Sequence, residues 1–181
     1  MQDLVERASR GDRDAFAALA SASVDRLFAI ARRILQDHDR AQDAVQSTLL
    51  HAWRDLPSLR DPTRFQPWLQ RVLVRACYEE ARKQRAFRFA VHVIPMEPAS
   101  SDSTNWLADR DQLERAFRRL NVEQRAVVVL HFYLGLTLRE AAEVLAIPEG
   151  TARSRLHYAL RILRGAIEAD SRPVRSEEKL A

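Results

Sequence analysis

The chain has 181 residues, enough for one mid-sized domain or two small ones, and its 29 basic and 25 acidic residues leave a formal net charge of +4. Four glycines are too few for a turn-rich β-sandwich or a glycine-rich phosphate loop, and the single Cys77 excludes a disulfide framework or cysteine-based zinc cluster within one chain. The opening MQDLVERASRGDRD has four acidic residues and no apolar core, and no apolar run approaches the ~20 residues of a membrane span, so a soluble, cytoplasmic, helical protein without membrane insertion is expected.

Apolar residues recur with helical spacing almost throughout, and strand-like alternation is nearly absent. A short helix is predicted over 2–9, ending near Gly11. Asp12 then caps a long helix to about Gln36, with Phe16, Leu19, Leu27, Ile30, Ala31 and Ile34 inward. A third helix is predicted over 39–55, stopped by Pro57. After the proline-bounded loop PSLRDPTRF, Pro67 suits the first turn of a fourth helix reaching about Arg85.

The stretch HVIPMEPASSDSTN has no helical period and reads as a flexible linker. Four more helices are predicted beyond it, roughly over 106–120, 122–134, 138–145 and 148–168. Asn121 with Gln124, and Thr137 with Glu140, have capping-box spacing and mark two of these starts. The sequence thus predicts an all-α fold of two small helical domains, residues 1–85 and 106–170, with a linker at 86–105 and a polar tail at 171–181. The first unit carries 15 basic and 12 acidic residues and the second 10 and 9, so any nucleic-acid surface must be a local stripe.

The segment LTLREAAEVLAIPEGTARSRLHYALRILR has helix-turn-helix grammar: a short capped helix, a tight turn and a longer basic helix. On the longer helix Ala152, Leu156, Ala159 and Leu163 form one buried stripe. At ~100° per residue the opposite side presents Ser154, His157, Tyr158 and Arg161, flanked by Arg153 and Arg164 on one edge and Thr151 and Arg155 on the other. Such a helix fits the major groove, where small polar residues and arginines reach base edges and phosphates. The same arginines also suit a plain solvated face.

In the first unit, Ala41, Val45, Thr48, Ala52 and Leu56 make a core face on the third helix. A second line, Asp39, Asp43, Gln46, Leu50 and Trp53, runs from acidic to apolar and suits docking of a basic partner. Leu50 and Trp53 equally suit packing on a neighbouring helix. On the fourth helix Leu69, Val72, Leu73 and Ala76 face inward, whereas Arg71, Arg75, Tyr78, Arg82 and Arg85 line the other side. Arginine interleaved with an aromatic ring suits a nucleic-acid backbone with an unstacked base, and the loop from Leu59 to Thr63 sits where it could receive that base.

Both halves together resemble an extracytoplasmic-function sigma factor, the smallest class of bacterial transcription initiation subunits. The first half resembles sigma region two through DHDRAQDAVQSTLLHAW and FQPWLQRVLVRACYEEARKQR. The second resembles region four through LNVEQRAVVVLHFYLGLTLREAAEVLAIPEGTARSRLHYALRIL. The resemblance implies binding to core RNA polymerase and to promoter DNA, with an anti-sigma factor as the usual regulator and no cofactor. Asp39, Asp43, Gln46, Leu50 and Trp53 would dock on the clamp helices of the largest subunit, and region four would pack on the flap of the second-largest. Arg60, Asp61, Arg71, Arg75, Tyr78, Arg82 and Arg85 would hold the non-template strand of the minus-ten element. Arg139, Thr151, Arg153, Ser154, Arg155, His157, Tyr158 and Arg161 would read the minus-thirty-five duplex.

The chain departs from the family pattern in three places. Arg75 and Glu79 stand where asparagine and aspartate are frequent, Ala146 replaces a turn glycine, and Pro148 replaces a serine cap. A helix-turn-helix activator of the response-regulator type is the alternative that the second half alone allows. An enzyme is not expected: there is no P-loop or metal-ligand spacing, and His38, His51, His92, His131 and His157 lie on separate segments.

Overall fold

The computed structural model describes the backbone of residues 1–91 and 105–170, and side chains over 1–87 and 112–169. Every α-helix predicted from periodicity is present: α1 (Gln2–Ser9), α2 (Arg13–Leu35), α3 (His38–Asp55), α4 (Phe65–Val91), α5 (Asn105–Arg118), α6 (Val122–Val128), α7 (Leu138–Leu145) and α8 (Glu149–Asp170). No strand occurs among the described residues. The linker residues 92–104 and the tail lie outside the described residues.

Local chemistry places the helix ends. Asp12 caps α2 by accepting from the Ala15 amide at 3.0 Å, and Asp37 caps α3 by accepting from Arg40 at 3.1 Å. Asp12 also takes Arg7 at 2.8 Å; the capping amide first, and the guanidinium second, hold its carboxyl below the usual range. Both predicted capping boxes form, Asn121 with Gln124 on α6 and Thr137 with Glu140 on α7. Two turns leave a non-glycine residue in the left-handed region: Gln36 after α2, with φ 57°, and Ala146 after α7, with φ 53°.

Three boundaries differ from the sequence reading. Helix α4 continues to Val91, so the expected domain edge at residue 85 falls inside a helix, and α5 begins at Asn105. The expected helix over 122–134 stops being α after Val128, and Val129–Tyr133 forms a π turn. There the Leu134 amide donates to the Val129 carbonyl at 3.1 Å, and His131 Nδ1 lies 2.7 Å from the Leu136 carbonyl. A carbonyl only accepts, so in this contact Nδ1 is the donor. The turn then reverses through Gly135, with φ +70°.

In the first half α2, α3 and α4 form a three-helix bundle with α1 laid along α2. Its core holds Leu19, Leu27, Ile30, Ile34, Val45, Leu56, Leu69 and Leu73, each of which stabilises the fold by roughly 1.5–3 kcal/mol through burial. Thr48 is accommodated there because its hydroxyl donates to the Ala44 carbonyl at 2.6 Å. In the second half α5, α6 and α7 surround α8, around Leu120, Val127, Leu130, Val144, Ala152 and Ala159. The halves are not only joined by a linker: α6 packs on α2 and α4, and α7 packs on α4.

Candidate nucleic-acid interface

The turn between α7 and α8 aims the longer helix. Ala146 caps α7 in the left-handed conformation, its amide donating to the Ala142 and Glu143 carbonyls. Pro148 starts α8 without a side-chain cap; its carbonyl accepts from Thr151 at 2.9 Å and Ala152 at 3.1 Å. Ala152, Leu156, Ala159 and Leu163 are buried as the periodicity requires. Arg153, Ser154, His157, Tyr158 and Arg161 are exposed, as is Arg139 on α7, whereas Thr151 and Arg155 are half-buried. Arg153 is tied to Glu149 at 2.7 Å, and the Ser154 hydroxyl donates to the Gly150 carbonyl at 2.9 Å. The Arg161 guanidinium lies 5.0 Å from the centre of the Tyr158 ring, and His157 meets the same ring edge-on. The face is therefore a polar and cationic ridge backed by a packed stripe.

On α4, Arg71, Arg75, Arg82 and Arg85 are exposed along one side. Tyr78, placed outward by helical spacing, is half-buried. Burial pushes its phenol up to about 12 even though the neighbouring Arg155 guanidinium pulls it down. In the preceding loop Arg60 and Asp61 are exposed. Asp61 Oδ1 accepts from the Thr63 hydroxyl at 2.6 Å and the Thr63 amide at 2.9 Å, which holds its carboxyl below the usual range. Asp61 thus stiffens the loop as a turn cap.

The third group lies on α3. Asp39, Asp43 and Gln46 are exposed, and Leu50 is 66 % exposed. Trp53 divides its ring between solvent, at 37 % exposure, and an edge contact on Phe16 with centroids 5.0 Å apart. Of the two apolar residues in this line, Trp53 packs on a neighbouring helix, whereas Leu50 stays exposed.

The structure brings together residues that the sequence kept apart. Tyr78 of the α4 stripe sits beside Arg155 of α8. Arg64 Nη2 lies 3.4 Å from Glu143 Oε2 on α7, and the Arg33 guanidinium stacks 3.9 Å over the Tyr133 ring. A cleft of about 340 Å³ between the halves is lined by Arg75, Tyr78, Glu79, Arg82 and Arg85 from α4 and by Val122 and Glu123 from α6. Arg33, Arg64, Glu123, Glu143 and Tyr133 were not signalled in the sequence, because each acquires its role only from a segment distant in the chain.

Among the described residues no group of acidic, histidine or cysteine side chains could hold a metal ion, and no helix is long and apolar enough to cross a membrane. Two family models match the chain, sigma-70 region 2 over residues 19–87 and sigma-70 region 4 over residues 110–163. The ECF RNA polymerase sigma factor SigL of Mycobacterium tuberculosis is 36 % identical over 143 residues, covering 76 % of this chain and 80 % of the relative. The RNA polymerase sigma-E factor of Streptomyces coelicolor is 31 % identical over 158 residues, covering 86 % and 89 %. Among solved structures, RpoE of Bartonella quintana, in complex with the anti-sigma factor NepR, superposes with a TM-score of 0.67 at 26 % identity, over 86 % of this chain and 98 % of that one. CnrH, in complex with the cytosolic domain of CnrY, gives 0.66 at 26 % identity, over 94 % and 98 %. With both regions in order and relatives of the same kind matched over most of their length, the chain belongs to the extracytoplasmic-function sigma factors of the sigma-70 family.

Proposed function

We propose that this chain, an alternative sigma factor directing transcription initiation, divides promoter recognition between its halves along the three faces described above. The observation that carries this division is the chemistry of two outward faces on separate helices. The α8 face offers small polar groups and arginines on a rigid helix, which suits base edges and phosphates of the minus-thirty-five duplex. The α4 face and the Leu59–Thr63 loop offer arginines, one aromatic ring and a stiffened turn, which suits a displaced minus-ten strand. The acidic-to-apolar line from Asp39 to Trp53 is the surface for core RNA polymerase. The chain works in the cytoplasm and is not itself an enzyme: the polymerase performs the chemistry and the sigma subunit contributes binding energy. An anti-sigma factor is its regulator, a reading supported by the relatives CnrH and RpoE, whose structures are complexes with CnrY and the anti-sigma factor NepR. The match of region 2 disfavours a response-regulator-type activator, in which the first half would have another fold.

Competition with a second sigma factor for limiting core polymerase, followed by run-off transcription, tests this reading. The wild type is expected to compete and to yield promoter-specific transcripts. Asp43→Arg should lose competition while remaining folded by circular dichroism, because a like charge then faces a basic partner. Equal competition by both proteins refutes the docking face, and failure of the wild type to compete refutes the assignment to polymerase.

A further inference from the structure

The outward face of α8 is polar and cationic except at one place. Tyr158 is the one large hydrophobic side chain among the residues assigned to that face, and 48 % of it is exposed. Its ring is held from two sides. The Arg161 guanidinium lies 5.0 Å from the ring centre, and the His157 ring meets it edge-on, with centroids 5.8 Å apart at 72°. Both contacts come from the same helix, so the ring is positioned before any DNA arrives and loses little freedom when it is covered. Ser154, Tyr158 and Arg161 follow at i, i+4 and i+7, which places them in one line along α8. The ring therefore stands between a small polar group suited to a base edge and a cation suited to a phosphate. An apolar ring facing the major groove needs an apolar counterpart. The base edges there carry hydrogen-bond donors and acceptors, and the C5-methyl group of thymine is their apolar feature. A 5-methylcytosine carries the same methyl group at the same ring position.

We propose that Tyr158 is a specificity-determining residue that reads the C5-methyl group of a pyrimidine, thymine or 5-methylcytosine, in the minus-thirty-five duplex. The inference rests on the duplex-reading assignment of α8. Helix geometry also fixes where the methyl group lies. Tyr158 is four residues beyond Ser154, a rise of ~6 Å along α8, and base pairs stack every ~3.4 Å. The methyl group is thus within about two base pairs of the pair that Ser154 meets. The ring face makes the contact, and the phenol hydroxyl is not needed for it. Covering one methyl group is worth about fourfold in affinity, the factor that corresponds to ~0.8 kcal/mol per buried carbon.

The test uses the full chain bound to core polymerase, and a minus-thirty-five duplex that this complex selects from a randomised pool. Each thymine is replaced in turn by uracil, which removes the methyl group and leaves every hydrogen-bonding group in place. Each cytosine is replaced in turn by 5-methylcytosine, which adds it. Affinity is measured for the wild type, Tyr158→Phe and Tyr158→Ala. The wild type is expected to lose about fourfold at one thymine, which assigns thymine as the natural target, or to gain about fourfold at one cytosine, which assigns 5-methylcytosine. The responding position should lie within about two base pairs of the one at which Ser154→Ala relaxes preference. Tyr158→Phe should keep the response and Tyr158→Ala should abolish it. A wild type that responds at no position overturns the proposal, as does a response that survives in Tyr158→Ala or lies farther along the duplex. Loss of the response in Tyr158→Phe also overturns it, because the hydroxyl is then the contact. So does a Tyr158→Ala variant that binds every duplex more weakly yet still distinguishes the methyl group, because the ring then serves only to hold Arg161. If the complex selects no sequence at all, the duplex-reading assignment of α8 fails first, and this proposal falls with it.

Discussion

Replacing Ala146 by glycine should stabilise the second half. Ala146 holds φ 53° and ψ 45°, a conformation in which its Cβ crowds the following carbonyl. That costs an L-residue roughly 1–2 kcal/mol, and glycine escapes it. Glycine also gives the unfolded chain more freedom, which takes back about 0.4–1 kcal/mol. The balance is a gain of ~0.5–1 kcal/mol, or a rise of ~1–4 °C in melting temperature for a chain of this size. The amide bonds from position 146 to the Ala142 and Glu143 carbonyls are backbone and survive the change. Gln36→Gly is the internal comparison, because Gln36 has nearly the same φ, 57°, but its side-chain amide donates to the Arg33 carbonyl at 2.9 Å. Losing that bond removes ~0.5–1.5 kcal/mol, so this second substitution should be close to neutral. Urea unfolding followed by circular dichroism measures both. A destabilised Ala146→Gly, or a Gln36→Gly that gains as much as Ala146→Gly, refutes the strain argument.

Two further outcomes are expected. Arg161→Ala should weaken binding to all duplex sequences alike and reduce the salt slope by ~0.9, whereas Ser154→Ala should relax sequence preference by roughly 1–3 kcal/mol at one base pair; an unchanged salt series and an unchanged sequence preference together would remove α8 from the duplex. The Cys77 thiol is pushed up to about 12 by burial first and by Glu80 second, whereas an unfolded cysteine ionises near ~8.5. The stability tied to this group is therefore intact below about pH 8.5 and declines as pH rises toward the folded value. Cys77→Ala should flatten the alkaline fall, leaving a residual slope above ~pH 10 from Tyr78, and the native thiol should react with a maleimide at neutral pH only through unfolding. Rapid native labelling would contradict the burial.

Helix existence and the inward faces were legible in the sequence because they depend on local spacing. Thr137 with Glu140 and Asn121 with Gln124 announce helix starts within four residues, and both boxes form. The π turn was not legible: VLHFY continues an apolar period, and only the Leu136 carbonyl reaching His131 marks the change. Tyr78 is the instructive case. Helical phase puts it on the outward side with Arg75 and Arg82, and that is correct for α4 alone. It lies beside Arg155 of α8 and Glu123 of α6, both distant in the chain, and no local pattern encodes that encounter. The end of α4 was missed for a different reason, since AFRFAV is compatible with a helix yet stands beside a proline-rich stretch.

The arginines assigned to the α4 and α8 faces share one further property: Arg71, Arg75, Arg82, Arg85, Arg153, Arg155 and Arg161 are all guanidinium groups, and the one lysine of α4, Lys83, is not among them. A guanidinium keeps its proton at any pH a cell survives, so the attraction of these faces for phosphate does not drift with intracellular acidity. Nor do they offer an ε-amino group to acyl donors, and a rise in acetyl-donor supply cannot neutralise them as it would a lysine surface. The only lysine in the described structure, Lys83, is held by Glu80 at 2.6 Å. A grip on DNA through these faces, as proposed, would thus be insulated from two of the commonest metabolic inputs.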